Sequence, residues 1–503
     1  MNKIFGYIAA AMLVAGVSVA CEGTEPAKQE PVKISLEVTP ATLTVPAIGS
    51  IEVIEVSTDA QEWDYMTSVQ WLEVEKIDGG LSVDVLENEG KSRSAEIIIY
   101  AYTGDVRESA KVKVKQEAAA GSEEDENVTP EGMVAFECNE FKTLMLEVCD
   151  YDGDGEISFE EAARVREMVV TYDEENTEIN KITSLKGIEH FVNLVNLDCD
   201  LNALTSLDLS GLKKLEYVDC CYNYITDLNL SGCESLKWLY FYSNEVSRLN
   251  LDGCESLVFI QGYKNKVKKM DLSGLQELIY FDMRLNSLES LKISGCPKLQ
   301  IIAAGDNNLA SLDLTGLPSL YTLGCYTNSI SALDLSGLPN LEMLECYNNN
   351  LAKLDLSANP SVVMLTCQNN MISELDIEAC NGLKVFDCSS NRLSGDLDMS
   401  AYTAMQRMYC GGNRFASLNV VGCTGMTELS CDNTDIVSLD IAANVLLEKL
   451  ICNDCLLTTL DVSANRFLSK LYANGNPLES LYMAQGQVIA DLKLDNHDVI
   501  IYK

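Results

Sequence analysis

Twelve consecutive residues carry the sharpest chemistry in the chain: Asp150-Tyr-Asp152-Gly-Asp154-Gly155-Glu156-Ile157-Ser158-Phe-Glu-Glu161. Carboxylates stand at the first, third, fifth and twelfth places, a hydroxyl at the ninth, and the backbone carbonyl of Glu156 at the seventh. Calcium takes six to eight oxygens at flexible geometry. Asp150, Asp152, Asp154, Glu156, Ser158 (directly or through water) and Glu161 therefore make one complete structural Ca2+ site. Gly155 allows the sharp turn at the sixth place, and Ile157 is the apolar anchor at the eighth. The alternative is a loop of the same form that holds no ion. Other chemistry is scarce. The chain has 2 histidines, His190 and His497, far apart in sequence. No Ser/His/Asp set, GxSxG, HExxH or glycine-rich phosphate loop can be assembled. Carboxylate pairs are plentiful, but among 76 acidic residues they say little about glycoside chemistry. An enzyme is not expected.

The loop resembles an EF-hand, and helices are expected on either side, over 136–148 and 159–170. No partner hand follows, so the resemblance implies a structural ion and not a sensor. Its expected task is to staple a small helical cap, 131–193, over the open end of whatever comes next. Within that cap Asn180-Lys-Ile182-x-x-Leu185 already reads as a degenerate copy of a repeat.

That repeat is the dominant pattern of the chain. Asparagine recurs every 21 residues at Asn202, Asn223, Asn244, Asn265, Asn286, Asn307, Asn328, Asn349, Asn370 and Asn391. One residue is then inserted, and the phase continues at Asn413, Thr434, Cys455 and Asn476. Two successive units read LVNLDCDLNALTSLDLSGLKK from Leu194 and LEYVDCCYNYITDLNLSGCES from Leu215. One unit has too few apolar residues to close a core, but stacked units turn their leucines into continuous apolar columns. The asparagine amide can donate and accept to backbone groups of neighbouring coils from inside the turn. The alternating stretch around Leu197 and Cys199 reads as one short strand of a parallel sheet. Fifteen coils, counting a partial one over 489–497, at the roughly 4.8 Å spacing of strands give an arc of about 70 Å. The inserted residue, near Gly395, is expected to make a bulge. The unit resembles the 21-residue IRREKO-type class of bacterial leucine-rich repeats. The resemblance spans 194–503 and implies a solenoid that binds a partner on its concave sheet.

The formal net charge is −40, from 76 acidic against 36 basic residues, which argues against nucleic acid or an anionic membrane surface as ligand. Asp313, Asp334, Asp355, Asp376 and Asp398 share one column after each LDLSG segment begins. They are either a solvated face bonded to nearby turn amides or a row of weak cation sites. The chain has 19 cysteines. Cys199, Cys220, Cys325, Cys346, Cys367, Cys388, Cys410, Cys431 and Cys452 share one inward column. In-register Cβ atoms about 4.8 Å apart lie slightly too far for an unstrained disulfide, so these read as small buried hydrophobes. Cys452 and Cys455 form a lone C-x-x-C within the repeat phase.

At the N-terminus, Lys3, an apolar run over 4–17 and small residues before Cys21 mark 1–20 as a signal peptide. Ser18-Val19-Ala20-Cys21 resembles a lipobox, which implies lipidation of Cys21 and a tether over 21–31; ordinary secretory cleavage is the alternative. Residues 32–117 carry short alternating runs between turn signals, as in a β-sandwich. Trp71-Leu72, GLSVDVLEN ending at Asn88, Arg93 with Ala95-Glu96-Ile97, and Val112-Lys113-Val114-Lys115-Gln116 resemble a BACON module. That family implies an immunoglobulin-like domain in surface proteins, with Trp63 and Trp71 either in the core or as sugar platforms. An acidic linker, 118–130, follows.

Numbering each unit from its first leucine as zero, positions two, four and six should point out of the concave sheet. Position two runs Asn196, Tyr217, Trp238, Phe259, Tyr280, Ile301; Tyr240 falls at position four; Tyr242 and Tyr263, then Tyr326 and Tyr347, at position six. Tyr217, Trp238, Tyr240, Tyr242, Phe259, Tyr263 and Tyr280 are thus the candidate ligand-binding residues, although aromatic cross-strand pairing alone could place rings there. The expected fold is mainly β, of the α+β multidomain kind: an immunoglobulin-like β-sandwich, a small helical cap and a leucine-rich repeat solenoid. The expected protein is a monomer on the outer membrane or cell surface that meets the membrane only through its lipid. Its partner is an extracellular protein, with a glycan or a purely structural role as alternatives.

Overall fold

The computed structural model describes residues 34–67, 71–88, 93–103, 106–117, 119, 132–172 and 180–503. The expected leader, Cys21 and the tether lie outside these residues, as does most of the expected linker. The chain divides into two units between Pro130 and Glu131.

The first unit has eight strands: β1 (Leu36–Thr39), β2 (Thr42–Val45), β3 (Ser50–Thr58), β4 (Glu62–Met66), β5 (Leu72–Ile77), β6 (Gly80–Val85), β7 (Arg93–Thr103) and β8 (Val106–Gln116). They form two four-stranded sheets, ordered β1-β3-β6-β5 and β2-β8-β7-β4. Inward residues of both sheets, among them Ile54, Leu81, Val83, Ile97, Ile99, Val112 and Val114, make one core. Trp63 and Trp71 pack against that core, and each indole carries a cation at 4.5 Å, Lys76 Nζ and the Arg93 guanidinium respectively. The motif residues form one network. Arg93 Nε donates to Gln116 Oε1 at 2.7 Å. Gln116 Nε2 donates to the carbonyls of Pro46, Ala47 and Leu86, and Asn88 Nδ2 to that of Glu117 at 2.8 Å.

The second unit begins with helix α1 (Asn139–Cys149), the acidic loop, a single helical turn α2 (Phe159–Ala162) and strand β9 (Glu167–Val169). The second expected helix, 159–170, is thus only one turn long. Its remainder, Glu-Met-Val-Val, suits a strand better than a helix, and β9 pairs in parallel with the first coil, Glu167 opposite Asn196. Phe141, Met145 and Ile157 of the cap join one continuous core with Leu194 and the coils beyond. Ile182 and Leu185 are buried as repeat residues are, and Ile182 N–H donates to Asn202 Oδ1 at 2.9 Å; Asn180 is exposed.

Each coil contributes one strand to a 16-stranded parallel sheet, and β9 is its sixteenth member. Asn349 shows how the coils are held. Its Nδ2 donates to the carbonyls of Cys325 in the preceding coil and of Cys346 and Tyr347 in its own, at 3.0, 3.1 and 3.2 Å. Its Oδ1 accepts from Ile330 N–H at 2.9 Å. The same set recurs at Asn223, Asn307 and Asn370. The residue before the asparagine column lies in the left-handed region in coil after coil, from Leu201 (φ 60°) and Tyr222 (φ 50°) to Asp454 (φ 50°). Non-glycine residues adopt such a φ only where surrounding bonds impose it; the asparagine clamp supplies them where the column holds asparagine, and at Asn433 and Asp454 the backbone bond to the next coil remains. The inserted residue shifts the register between Gly395 and Asp396, with Gly395 at φ 86°, as the bulge expectation requires.

The 18 described cysteines are free thiols and all are buried. Phe241 stands in the cysteine column with room for its ring because Gly262 follows: a Cβ on Gly262 would lie 2.1 Å from Phe241 Cζ.

Candidate functional site

The acidic loop is organised around its own carboxylates. Asp150 accepts from the N–H groups of Gly153 and Gly155 at 2.8 and 3.1 Å. Asp152 accepts from Asp154 N–H at 3.1 Å, and Asp154 from Glu156 N–H at 2.8 Å. Gly153 and Gly155 lie at φ 75° and 84°, where a side chain would be strained. Glu161 is buried and reaches both ends of the loop: Oε1 accepts from Tyr151 N–H at 2.9 Å, and Oε2 from Ser158 N–H at 2.8 Å. Asp150, Asp152 and Asp154 each offer an oxygen within 4.8 Å of the others. This donor set of oxygens alone fits a hard divalent cation. The Glu156 side chain turns away to Lys142 at 2.7 Å, which leaves its carbonyl as the atom for the loop.

A second acidic cluster was not anticipated. Asp198, Asp200 and Asp219 also offer oxygens within 4.8 Å of one another, and they are only 2%, 4% and 2% exposed. Asp198 and Asp219 face each other in register, and Thr171 Oγ1 donates to Asp198 at 3.0 Å. The signal was legible as aspartate at position four of two consecutive units and at position six of the first. Both clusters are capable of coordinating a metal ion.

The aspartate column after the LDLSG leucines follows the plainer of its two readings. Asp313, Asp334, Asp355, Asp376 and Asp398 each accept the amide two residues on, at 2.9 to 3.1 Å. Bonds from Thr315 and Ser336 hold the carboxyls of Asp313 and Asp334 below the usual carboxylate range.

On the concave sheet the candidate rings come together, though not as one straight stack. Ring contacts run from Tyr217 to Tyr240 (5.5 Å), Tyr240 to Phe259 (5.1 Å) and Phe259 to Tyr280 (4.2 Å, 6° between planes). Trp238 pairs in register with Tyr217 and Phe259, and its own ring has Lys237 Nζ at 5.7 Å. Tyr242 and Tyr263 form a parallel pair at 4.6 Å and 6°. Tyr240, Phe259 and Tyr280 are buried by these neighbours, whereas Tyr217, Trp238, Tyr242 and Tyr263 keep part of their surface. Sequence reasoning did not find the ion pair that closes this patch. Arg284 grips Asp282, which is 0% exposed, through Nε at 2.9 Å and a terminal nitrogen at 2.7 Å. The pair occupies positions four and six of coil five, so its spacing was available in the repeat.

No family model matches the chain, and no curated protein matches it. Solved structures do. The functional domain of InlJ from Listeria monocytogenes, which includes a cysteine ladder, is similar over 69% of this chain and 72% of that one, at 27% identity and a TM-score of 0.55. YopM from Yersinia enterocolitica WA-314 is similar over 62% of this chain and 78% of that one, at 23% identity and a TM-score of 0.44. The second unit is thus a leucine-rich-repeat-like β-solenoid. No described helix is long and apolar enough to cross a membrane. Among the described residues no catalytic constellation is assembled, and a solenoid of this kind presents a face suited to binding.

Proposed function

We propose that the chain is a lipid-anchored surface protein of the bacterial outer membrane that binds an extracellular protein through the concave sheet of coils two to five. The observation that carries this reading is the division of labour among the aromatic residues. Tyr240, Phe259 and Tyr280 are buried, and Tyr217, Trp238, Tyr242 and Tyr263, on the same and neighbouring coils, keep part of each side chain open to a partner. Rigid Tyr and Trp rings offer large contact area at low entropic loss, which is why they dominate binding hot spots. In this reading Cys21 bears the lipid and 32–117 is an immunoglobulin-like spacer of the BACON kind. The linker 118–130 then leads to the cap, 131–193, whose EF-hand-like loop holds one structural calcium. The IRREKO-type solenoid, 194–503, presents the binding face. The similarity to the InlJ domain supports this assignment of the solenoid.

The test is a binding screen of the full chain against extracellular proteins and a glycan array, followed by variants. Trp238→Ala should weaken the partner by roughly 30-fold, about 2 kcal/mol, with the melting temperature little changed. Tyr472→Ala, in a distant coil, should do much less. Unfolding by Trp238→Ala with affinity spared at permissive temperature would make the column a packing device. A second reading, a glycan ligand, draws on the parallel half-exposed pair Tyr242 and Tyr263. Array hits lost on Trp238→Ala, with no protein hit, would favour it.

A further inference from the structure

We infer that coils seven to nine hold a second recognition point on the same sheet, a pocket for one arginine side chain of the partner protein, lined by Gly324, Tyr326, Glu345, Tyr347, Thr366 and Gln368. The inference rests on the concave sheet being the binding face and supplies the chemistry of what binds there.

These residues form one block of the repeat lattice. Gly324, Glu345 and Thr366 are successive members of position four, in register across three strands. Tyr326, Tyr347 and Gln368 are the matching members of position six. Because Gly324 has no side chain, the place of its Cβ is left to the groups around it. A Cβ placed there would lie 3.6 Å from Glu345 Oε2 and 3.8 Å from Tyr326 Cε1, so the carboxylate and the ring edge meet above bare backbone. Tyr326 and Tyr347 lie flat against each other, 4.7 Å between centroids and 4° between planes.

The Tyr326 hydroxyl has Arg284 as its partner, but three other oxygens in and beside the block make no hydrogen bond among the described residues. Thr366 is only 7% exposed, and its Oγ1 has no hydrogen-bond partner among the described residues. The same holds for Gln368 Oε1 beside it and for Thr322 Oγ1 one strand away from Glu345. Buried acceptors are normally satisfied, so neighbouring exceptions on a binding face point to a missing donor. Among the described residues no ion pair is formed by Glu345. The cation that acts on it, Arg284, is held in a two-pronged grip by Asp282. Burial pushes the Glu345 carboxyl up despite Arg284, and burial also raises that of Asp387, the next member of the column. A cation docked here would relieve Glu345.

Of the protein side chains, arginine fits best. It carries five N–H donors in a planar fork and no acceptor, and its flat guanidinium stacks on aromatic rings. Lysine offers a point charge and cannot lie against Tyr326 in the same way. The charge complement is favourable, since the chain carries −40 overall.

The experiment pans a phage-displayed random dodecapeptide library against the full chain. The selected peptides should share an arginine. In the best synthetic peptide, replacing that arginine by its neutral isostere citrulline should weaken binding to the native chain at least tenfold. On Glu345→Gln, the arginine and citrulline peptides should bind within about twofold of each other, with the melting temperature held or raised. Thr366→Val, which removes the orphan hydroxyl, should also weaken the arginine peptide and guards against a folding defect in the first variant. Peptides with no basic residue in common, equal binding of arginine and lysine versions, or an undiminished arginine preference on Glu345→Gln would each overturn the pocket. Binders that Trp238→Ala abolishes and Glu345→Gln leaves alone would sink the pocket and keep the binding face. Binders indifferent to both variants, or none at all, would sink the binding face as well.

Discussion

Asn349 makes four hydrogen bonds with one amide, three through Nδ2 and one through Oδ1, and shares the Cys325 and Cys346 carbonyls with Asn328 and Asn370. Asn349→Ala would leave the Ile330 N–H without its acceptor and take one donor from each of three carbonyls, which keep Asn328, Asn370 and the Thr327 N–H. A buried group left orphaned costs about 1–3 kcal/mol and each further lost hydrogen bond about 0.5–1.5 kcal/mol, although water can reach some of these groups. The expected loss is about 3 kcal/mol of stability by chemical denaturation, with the far-UV spectrum of the folded state unchanged. A loss under about 1 kcal/mol would mean that the coils are held by their leucines alone. The asparagine column and the cysteine column were both legible, because a strict period exposes any residue the turn requires. Less legible was how the lattice repairs itself where the column lapses. At Thr434 the hydroxyl donates to Cys431 carbonyl at 2.8 Å and meets Cys455 Sγ at 3.3 Å. Asn359, Asn444 and Asn465 were also missed. They are fully buried in a second inward column, and all three donate to carbonyls one coil back.

The cap shows where reading by element falters. Helix α1 stands close to its expected place, whereas α2 is a single turn because its continuation was claimed by the sheet. A local motif fixes the loop, but the partner strand that captures Glu167–Val169 lies a full coil away and leaves no local trace. In the concave face, likewise, the columns were legible and the burial of Phe259 and Tyr280 was not, since burial depends on how rings of neighbouring coils lean on one another. The loop's task follows from its position. Glu161 links Tyr151 and Ser158, and Ile157 beside them sits in the same core as Leu194. A cation held by Asp150, Asp152 and Asp154 would neutralise three clustered charges and lock that core over the first coil. Calcium should therefore raise the melting temperature by several degrees at about 100-fold excess over its dissociation constant, where the linkage is about 2.7 kcal/mol. Asp150→Ala with Glu161→Ala should lower the melting temperature and abolish the calcium response. Equal stability of the native chain in calcium and in chelator would refute the staple.

At the scale of the whole molecule, stability in a solenoid is a sum of coils and of contacts between neighbours, so a cross-link is not required for the stack to hold. The thiols bear this out in their positions. The column cysteines stack one coil apart, and those at Cys233, Cys254, Cys296 and Cys423 each donate to a carbonyl of the preceding coil at 3.2 Å. Burial pushes the Cys325 thiol up to about 12 and that of Cys254 to about 11, so at neutral pH these groups are neutral and unreactive. Cys455 departs from the rest: a hydrogen bond from the Cys431 thiol, with another from Thr434, brings it down to about 7. Thiol titration of the native chain at neutral pH should accordingly detect almost nothing at early times, and the first group to react should be Cys455, abolished by Cys455→Ala. In denaturant without reductant the same titration should approach the 18 described free thiols. A denatured count below half of that would mean disulfides join the coils, which the parallel register between neighbouring strands does not favour. The native chain should then lose stability on reduction, whereas a stack of free thiols should melt at the same temperature with or without reductant.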